Sequence, residues 1–148
     1  MATQLDVPLA SAALNERERR VLGRLVEALR AHLGPDLLAL WLYGSRARGE
    51  ADPTETDPDL RSDVDLLAIV VPERDAVEVS WEVMPLLEAA ADAEGDSPVY
   101  FSLRVFDADY LRERREIRSF FVQEVDRDKL VLHGSRLEEP GGAGEGGK

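Results

Sequence analysis

The feature that most constrains this chain is a pair of carboxylates, Asp63 and Asp65, at the start of the apolar run DVDLLAIVV. Apolar residues at successive positions are typical of a strand that is buried on both faces, in the middle of a sheet. Residues i and i+2 of a strand project from the same face about 7 Å apart, so the two carboxylates point the same way. Like charges repel, and partial burial raises the cost. A divalent cation removes that cost, so the pattern predicts a metal site formed by Asp63 and Asp65.

The kind of metal follows from the residues that the chain lacks. It has no Cys and two His, at positions 32 and 133. These counts exclude thiolate sites and a His-rich site, which are the usual sites of zinc and copper. The remaining choice is a hard cation held by oxygen atoms, Mg²⁺ or Mn²⁺.

A second motif, Gly44-Ser45, follows an earlier apolar run. Glycine at a sharp strand-to-helix turn lets the backbone approach a ligand closely, and the N–H groups beyond the turn attract anions. The hydroxyl of Ser45 can donate to a phosphate oxygen, and Arg46 and Arg48 can neutralise phosphate charge. The alternative for both arginines is an ion pair with Glu50 at the surface. Together, the carboxylate pair and this turn predict a site for a nucleoside triphosphate.

The segments LWLYGSRARGEA and SDVDLLAIV together resemble the minimal nucleotidyltransferase branch of the DNA polymerase beta superfamily. The resemblance implies an α+β (α/β) fold of the polymerase beta type, with a small mixed sheet and helices packed mainly on one face. It implies transfer of a nucleoside monophosphate, in the first instance AMP from ATP, to an acceptor hydroxyl. In that family the Gly-Ser turn binds the triphosphate and the Asp-x-Asp pair holds Mg²⁺. Some members are antitoxins that modify a partner HEPN-type ribonuclease, so the expected acceptor is a partner protein or a small molecule.

Two departures from the family pattern keep other functions open. The segment between the motifs is longer than usual and contains the acidic, proline-containing stretch 51–62, which we expect to be a loop. The family's third carboxylate aligns with Tyr100, whose phenol has an ordinary pKa of about 10 and is a poor metal ligand. Asp96, just before the same strand, and Asp107, just after it, are the candidate substitutes, although neither has the expected spacing. The alternative is therefore a catalytically impaired module that binds a nucleotide or a partner, and a chance motif match on a plain α/β domain is a third possibility.

Hydrophobic periodicity predicts the remaining elements. A first helix begins at a capping box formed by Asn15 and Glu18 and ends before Gly34. The predicted strands cover residues 37–43, 63–71, 99–106 and 130–132, and a helical turn covers 46–50. A second helix, between the strands 63–71 and 99–106, has a kink at Pro85, and its residues towards the core are Val77, Trp81, Met84, Leu87 and Ala91. One further helix covers 108–126, and its inward residues are Tyr110, Ile117, Phe121 and Val125.

The length of 148 residues fits one domain, predicted over residues 1–137, and the Gly-rich segment 138–148 is predicted to be disordered. A net charge of -12 disfavours direct binding of nucleic acid. The chain has no apolar run of membrane length, so we expect a cytoplasmic protein without a membrane-spanning segment. Self-association to a homo-oligomer stays open.

Overall fold

The computed structural model describes residues 8–138, in which a four-stranded sheet is covered by helices on its two faces. The helices are α1 (Glu16–Leu33), α2 (Ser45–Arg48), α3 (Ala76–Ala93), α4 (Ala108–Glu116) and α5 (Phe120–Asp128). The strands are β1 (Leu37–Tyr43), β2 (Val64–Val70), β3 (Phe101–Asp107) and β4 (Leu130–Gly134). Short 3₁₀ turns, Gly34–Asp36 and Pro98–Tyr100, precede β1 and β3. The predicted disordered tail lies outside the described residues, apart from Glu138.

The strand order is β3-β2-β1-β4. Strand β1 runs antiparallel to both β2 and β4, whereas β2 and β3 are parallel. The parallel pair needs a crossover, and α3 supplies it. Because β2 lies between β3 and β1, it is an inner strand. The prediction that it is buried on both faces is confirmed, since Val64 and every residue of 66–70 are buried.

Each face of the sheet carries its own apolar cluster. The two long helices, α1 and α3, cover one face and bury side chains such as Leu40, Leu66 and Val83. The shorter α4 and α5 cover the other face, over Trp41, which is fully buried. The predicted mixed sheet is thus confirmed, with its long helices on one face and a smaller layer on the other.

The predicted start of α1 is confirmed in detail. The side chain of Asn15 accepts from the backbone N–H of Glu18, and the carboxylate of Glu18 accepts from the N–H of Asn15. This capping box satisfies two of the donors that a helix start leaves without partners.

The core-facing side of α3 differs from the prediction. The buried residues are Val79, Val83, Leu87, Ala90 and Ala91. The predicted inward residues Val77, Trp81 and Met84 are instead exposed, and the helix continues through Pro85. Two apolar stripes run along this helix, and periodicity alone cannot tell which one meets the sheet.

The single helix predicted over 108–126 is two helices, α4 and α5. Arg118 between them has a φ of 55°, which no α-helix accommodates. The hydroxyl of Ser119 then accepts from the N–H of Val122 and caps α5. The break turns Ile117 and Phe120 out to solvent and leaves Tyr110 40% exposed, so the predicted inward face is wrong at Tyr110 and Ile117.

Within residues 8–138, none of the helices is both long enough and apolar enough to cross a lipid bilayer.

Candidate functional site

The two carboxylates lie where the central strand begins. Asp63 is exposed and directly precedes β2, while Asp65 is the second residue of the strand and is partly buried. In the sheet, Asp65 pairs with Tyr43 of β1 on one side and with Ser102 of β3 on the other. It shares its face of the sheet with Leu67, which belongs to the cluster under α4 and α5. The site therefore lies at one end of the sheet, on the face that carries the smaller helices.

The electrostatics of Asp65 favour a bound cation. Burial raises its pKa above the ordinary value, and the negative charge of Asp63 raises it further. The guanidinium groups of Arg104 and Arg46 act in the opposite direction. The net shift is upward, so the folded chain disfavours the ionised carboxylate. A cation between the two carboxylates would reverse that preference.

The backbone of Gly44 lies very close to the side chain of Asp65. Its φ of 81° lies in the region that favours glycine, and an added Cβ would stand 2.7 Å from an Oδ atom of Asp65. Glycine is therefore favoured at position 44 by its conformation, and any larger residue would also displace the carboxylate of Asp65. Ser45 directly follows and begins α2. The predicted phosphate turn and the predicted metal pair are thus parts of one site.

Arg46 does not take the predicted role. Its side chain is 1% exposed, and its five N–H groups donate to five acceptors of the protein. Nη1 and Nη2 form a two-pronged pair with Glu18 at 2.6 and 3.0 Å. The other acceptors are the carbonyl of Ala13 and both the hydroxyl and carbonyl of Ser62. A phosphate would find no N–H group left to bind, so we correct the prediction and assign Arg46 to the fold.

The pair of Arg46 and Glu18 continues into a wider network. Arg61 donates to Glu18 at 3.0 Å and to both oxygens of Asp96 at 3.0 and 2.9 Å. The network holds two positive and two negative side chains, so it is neutral as a whole. Because Arg46 binds both polar oxygens of Ser62, it fixes the residue before Asp63. The network thereby ties the start of α1 and the turn at Gly44 to the start of β2.

Arg48 forms the surface ion pair with Glu50 that the sequence offered as the alternative to phosphate binding. Its side chain lies at the surface and donates to Glu50 at 2.9 Å and to Asp128 of α5 at 2.7 Å. A phosphate at this position would have to compete with both carboxylates. The predicted role of Arg48 in nucleotide binding stays a prediction.

The residue next to Asp65 on the third strand is Ser102, not Tyr100. Tyr100 lies in the 3₁₀ turn before β3, packs against the cluster of the opposite face, and has the guanidinium of Arg61 4.0 Å from its ring centre. Asp96 is engaged by Arg61, and the side chain of Asp107 caps α4. A serine therefore occupies the position beside the pair, and the alignment of Tyr100 with the family's third carboxylate stays a prediction.

The structure adds Arg104, which the sequence analysis missed. It shares its face of β3 with Ser102, and its guanidinium carbon lies 5.1 Å from the ring centre of Phe121. Its charge lowers the pKa of both Asp65 and Tyr43, although burial, followed by the charge of Asp65, keeps that of Tyr43 raised. An arginine two positions after Ser102 in a strand could have been assigned to this face, once the register of β3 was known.

The donor set fits a hard cation. Within the described residues, no group of three or more His, Cys, Asp or Glu side chains is arranged to hold a metal ion. A cation at Asp63 and Asp65 would therefore have two carboxylates from the protein, and would complete its shell with water and ligand oxygens. That is the manner in which Mg²⁺ is commonly held beside phosphates.

No protein-family model matches the chain, and no curated protein matches it in sequence. Among solved structures, a candidate nucleotidyltransferase from Sulfolobus solfataricus is similar, at 19% identity and a TM-score of 0.48, over 88% of this chain and 89% of that one. A chain from the complex of the tri-AMPylated Shewanella oneidensis HEPN toxin with its MNT antitoxin has 18% identity and a TM-score of 0.45, over 80% of this chain and 73% of that one. Spectinomycin adenyltransferase of Enterococcus faecialis, with ATP and spectinomycin, has 14% identity and a TM-score of 0.48, over 79% of this chain and 56% of that one. All three likenesses are below 25% identity and below a TM-score of 0.5, so the roles of the residues rest on the chain's own geometry.

Proposed function

We propose that this protein is a Mg²⁺-dependent nucleotidyltransferase that transfers a nucleoside monophosphate from a triphosphate to a hydroxyl of a partner protein or small molecule. The observation that carries the proposal is the contact between Gly44 and Asp65, which places the predicted phosphate turn beside the carboxylate pair. A triphosphate bound at the turn would have oxygens beside both carboxylates. The resemblance of the two motifs to minimal nucleotidyltransferases supports the same reading and makes ATP the first nucleotide to test.

In the proposed reaction the oxygen of the acceptor hydroxyl forms a bond to the α-phosphorus of the nucleotide and gives up its proton to water. The bond from that phosphorus to the oxygen that bridges to the β-phosphate breaks, and pyrophosphate leaves. Asp63 and Asp65 would hold Mg²⁺, which when bound stabilises the charge on the phosphate oxygens. The hydroxyl of Ser45 and the N–H groups that open α2 would bind the outer phosphates.

Arg104 has a place in this proposal. It is the cation that faces Asp65 from β3, on the side where the pairing of the sheet brings Ser102 rather than a carboxylate. A guanidinium beside the dyad would attract the negative charge of a triphosphate or of departing pyrophosphate. Its position over Phe121 limits the freedom of the side chain before a ligand binds.

A second function, binding without transfer, is favoured by one specific observation. Among the described residues no third carboxylate joins Asp63 and Asp65 in a group that could hold a metal, and the neighbour of Asp65 on β3 is Ser102, whose hydroxyl is a weak base. In that case the domain would bind a nucleotide, or a partner, and release it unchanged.

Incubation with nucleoside triphosphates labelled at the α-phosphorus separates the two functions. Each nucleotide is supplied with Mg²⁺, Mn²⁺ or EDTA, with and without a purified HEPN-type ribonuclease as acceptor. The variants are Asp63→Asn and Asp65→Asn, with Asp59→Asn as the control, because Asp59 is an exposed acid of the loop between the motifs. Transfer that needs the metal and both dyad residues, but not Asp59, supports the enzyme. Metal-dependent binding without transfer to any acceptor supports the binding module.

A further inference from the structure

Helix α3 exposes an apolar surface that the sheet does not use. Val77, Trp81 and Met84 are 66%, 75% and 40% exposed. Their spacing of four and then three residues places them in one stripe along the helix, about 10 Å long. The buried face of α3 is formed by other residues, so the stripe lies mostly outside the core.

The stripe leads at one end into a groove formed by the start of α3, the end of β3 and the start of α4. Val77 lines the groove together with Val105, Phe106 and Tyr110. The rings of Phe106 and Tyr110 meet edge to face with centroids 4.8 Å apart, which gives the groove a firm aromatic wall. We call the stripe and the groove the α3 surface. Its length and its concave end match two turns of a helical ligand.

Acidic side chains surround the α3 surface. Helix α3 contains Glu78, Glu82, Glu88 and Asp92 and has no Lys or Arg. Three acids, Glu73, Asp75 and Asp107, line the groove with one base, Arg74. The guanidinium of Arg74 is held by Asp36 at 2.9 Å and Glu82 at 2.8 Å. The guanidinium of Arg114 also lies 5.1 Å from the ring centre of Tyr110, but the acids outnumber the bases, so the rim is negative around an apolar centre.

From this combination we propose that the α3 surface is a docking site for a basic amphipathic helix of a partner protein. Apolar side chains of the partner would cover Trp81 and its neighbours, while Lys and Arg at the margin would meet the acidic rim. The charge argues against other occupants, because a second copy of this chain would bring the same acids together and phosphates of nucleic acid or of anionic lipid would be repelled. The segments 1–7 and 139–148 of this chain contain one Lys and no Arg between them, so they do not supply a basic helix.

The α3 surface lies away from the candidate active site. The groove forms where β2 and β3 end, whereas Asp63 and Asp65 stand where β2 begins, about 20 Å along the strand. The proposal is therefore independent of the proposed function, and a bound helix would leave the nucleotide site open.

Wild-type protein tests the proposal through its own fluorescence. Of the two Trp residues, Trp41 is fully buried and Trp81 is 75% exposed, so acrylamide quenching reports mainly on Trp81. The probe is a fluorescein-labelled helix of Leu and Lys, about 18 residues long, which makes five turns. Control peptides replace Lys by Glu, or scramble the order so that no apolar face forms. We expect the basic amphipathic peptide alone to bind, with a dissociation constant of about 10 μM, and to reduce quenching of Trp81 by about half.

Matched variants identify the surface. Val77→Ser/Trp81→Ser/Met84→Ser should weaken peptide binding at least about tenfold, and Glu78→Gln/Glu88→Gln about threefold, while Leu60→Ser, at a site 68% exposed elsewhere, should leave it unchanged. Equal binding by the triple variant, or by the scrambled peptide, would overturn the proposal, since general attraction to a chain of net charge -12 would then explain it. A dimer in sedimentation equilibrium that the triple variant loses would assign the surface to a second copy instead. Protection of Trp81 by phosphatidylcholine vesicles would assign it to a membrane.

Discussion

Single contacts decide what the candidate site can bind. The Cβ that any other residue would add at position 44 would stand 2.7 Å from a side-chain oxygen of Asp65, so that carboxylate would have to shift. Beside them, Arg104 supplies a positive charge to a carboxylate that already has a negative neighbour. These contacts join residues that are distant in the sequence, and they give the site its chemistry.

Gly44→Ala should therefore damage the site more than the fold. We expect nucleotide affinity to fall at least about tenfold, and stability to fall by about 1–2 kcal/mol from the strained backbone. Calorimetric titration and thermal unfolding measure the two effects. Gly23→Ala is the matched control, because an added Cβ there meets nothing within 4 Å, and alanine should slightly stabilise the middle of α1. Unchanged affinity in Gly44→Ala would separate the turn from the ligand.

The raised pKa of Asp65 predicts a pH-dependent stability. The folded chain holds the proton of Asp65 more tightly than the unfolded chain does, so protonated Asp65 adds to the free energy of unfolding. That contribution is complete at a pH below the ordinary aspartate pKa and is lost as the pH rises through the raised pKa of the folded chain. Without metal, Asp65→Asn should melt about 2 °C above wild type at pH 7 and level with it near about pH 3. Added Mg²⁺ should raise the melting temperature of wild type only. An Asp65→Asn protein that melts below wild type at neutral pH would contradict the assigned electrostatics.

At the scale of elements, a buried ion network joins three pieces of chain that the site needs. Glu18 at the start of α1 is fully buried with Arg46 of α2, and Arg46 in turn holds Ser62 before β2. The geometry is unusually complete, since every N–H of the guanidinium has an acceptor. A buried pair of this kind adds little net stability over an apolar replacement, but removal of one partner is costly.

Arg46→Lys should destabilise the protein by about 3 kcal/mol or more, because a lysine has three donors in place of five and cannot form the two-pronged pair. Arg48→Lys, in an exposed ion pair, is the control and should cost less than about 1 kcal/mol. Chemical denaturation compares them. If Arg46→Lys unfolded like wild type yet lost nucleotide affinity, Arg46 would be a phosphate ligand after all.

The sequence predicts best where a local signal has one interpretation. The capping box at Asn15, the buried strand β2 and the turn at Gly44 each carry such a signal, and each is found. Helix α3 has two apolar stripes, and the choice between them depends on the twist of the sheet beneath. The placement of Arg46 depends on a partner 28 positions away, which no local pattern reveals.

At the scale of the whole molecule, the chain has two separate surfaces of different chemistry. The dyad end combines carboxylates with Arg104 and a glycine turn, while the α3 surface combines exposed apolar groups with acids. The net charge of -12 disfavours binding of nucleic acid at either of these two surfaces. A nucleotide bound with Mg²⁺ at one end and a basic helix at the other are compatible occupants, and saturation of one site should leave affinity at the other unchanged within about twofold.

Asp63 and Asp65 are proposed to form a metal-dependent nucleotide site. The most direct measurement is calorimetric titration of a non-hydrolysable ATP analogue into wild type and into Asp63→Asn/Asp65→Asn, each with Mg²⁺ and with EDTA. We expect binding to wild type in Mg²⁺ alone, and a loss of at least about 2 kcal/mol of binding free energy, or about thirtyfold in affinity, in the double variant. Equal binding by the double variant, or by wild type in EDTA, would contradict this proposal.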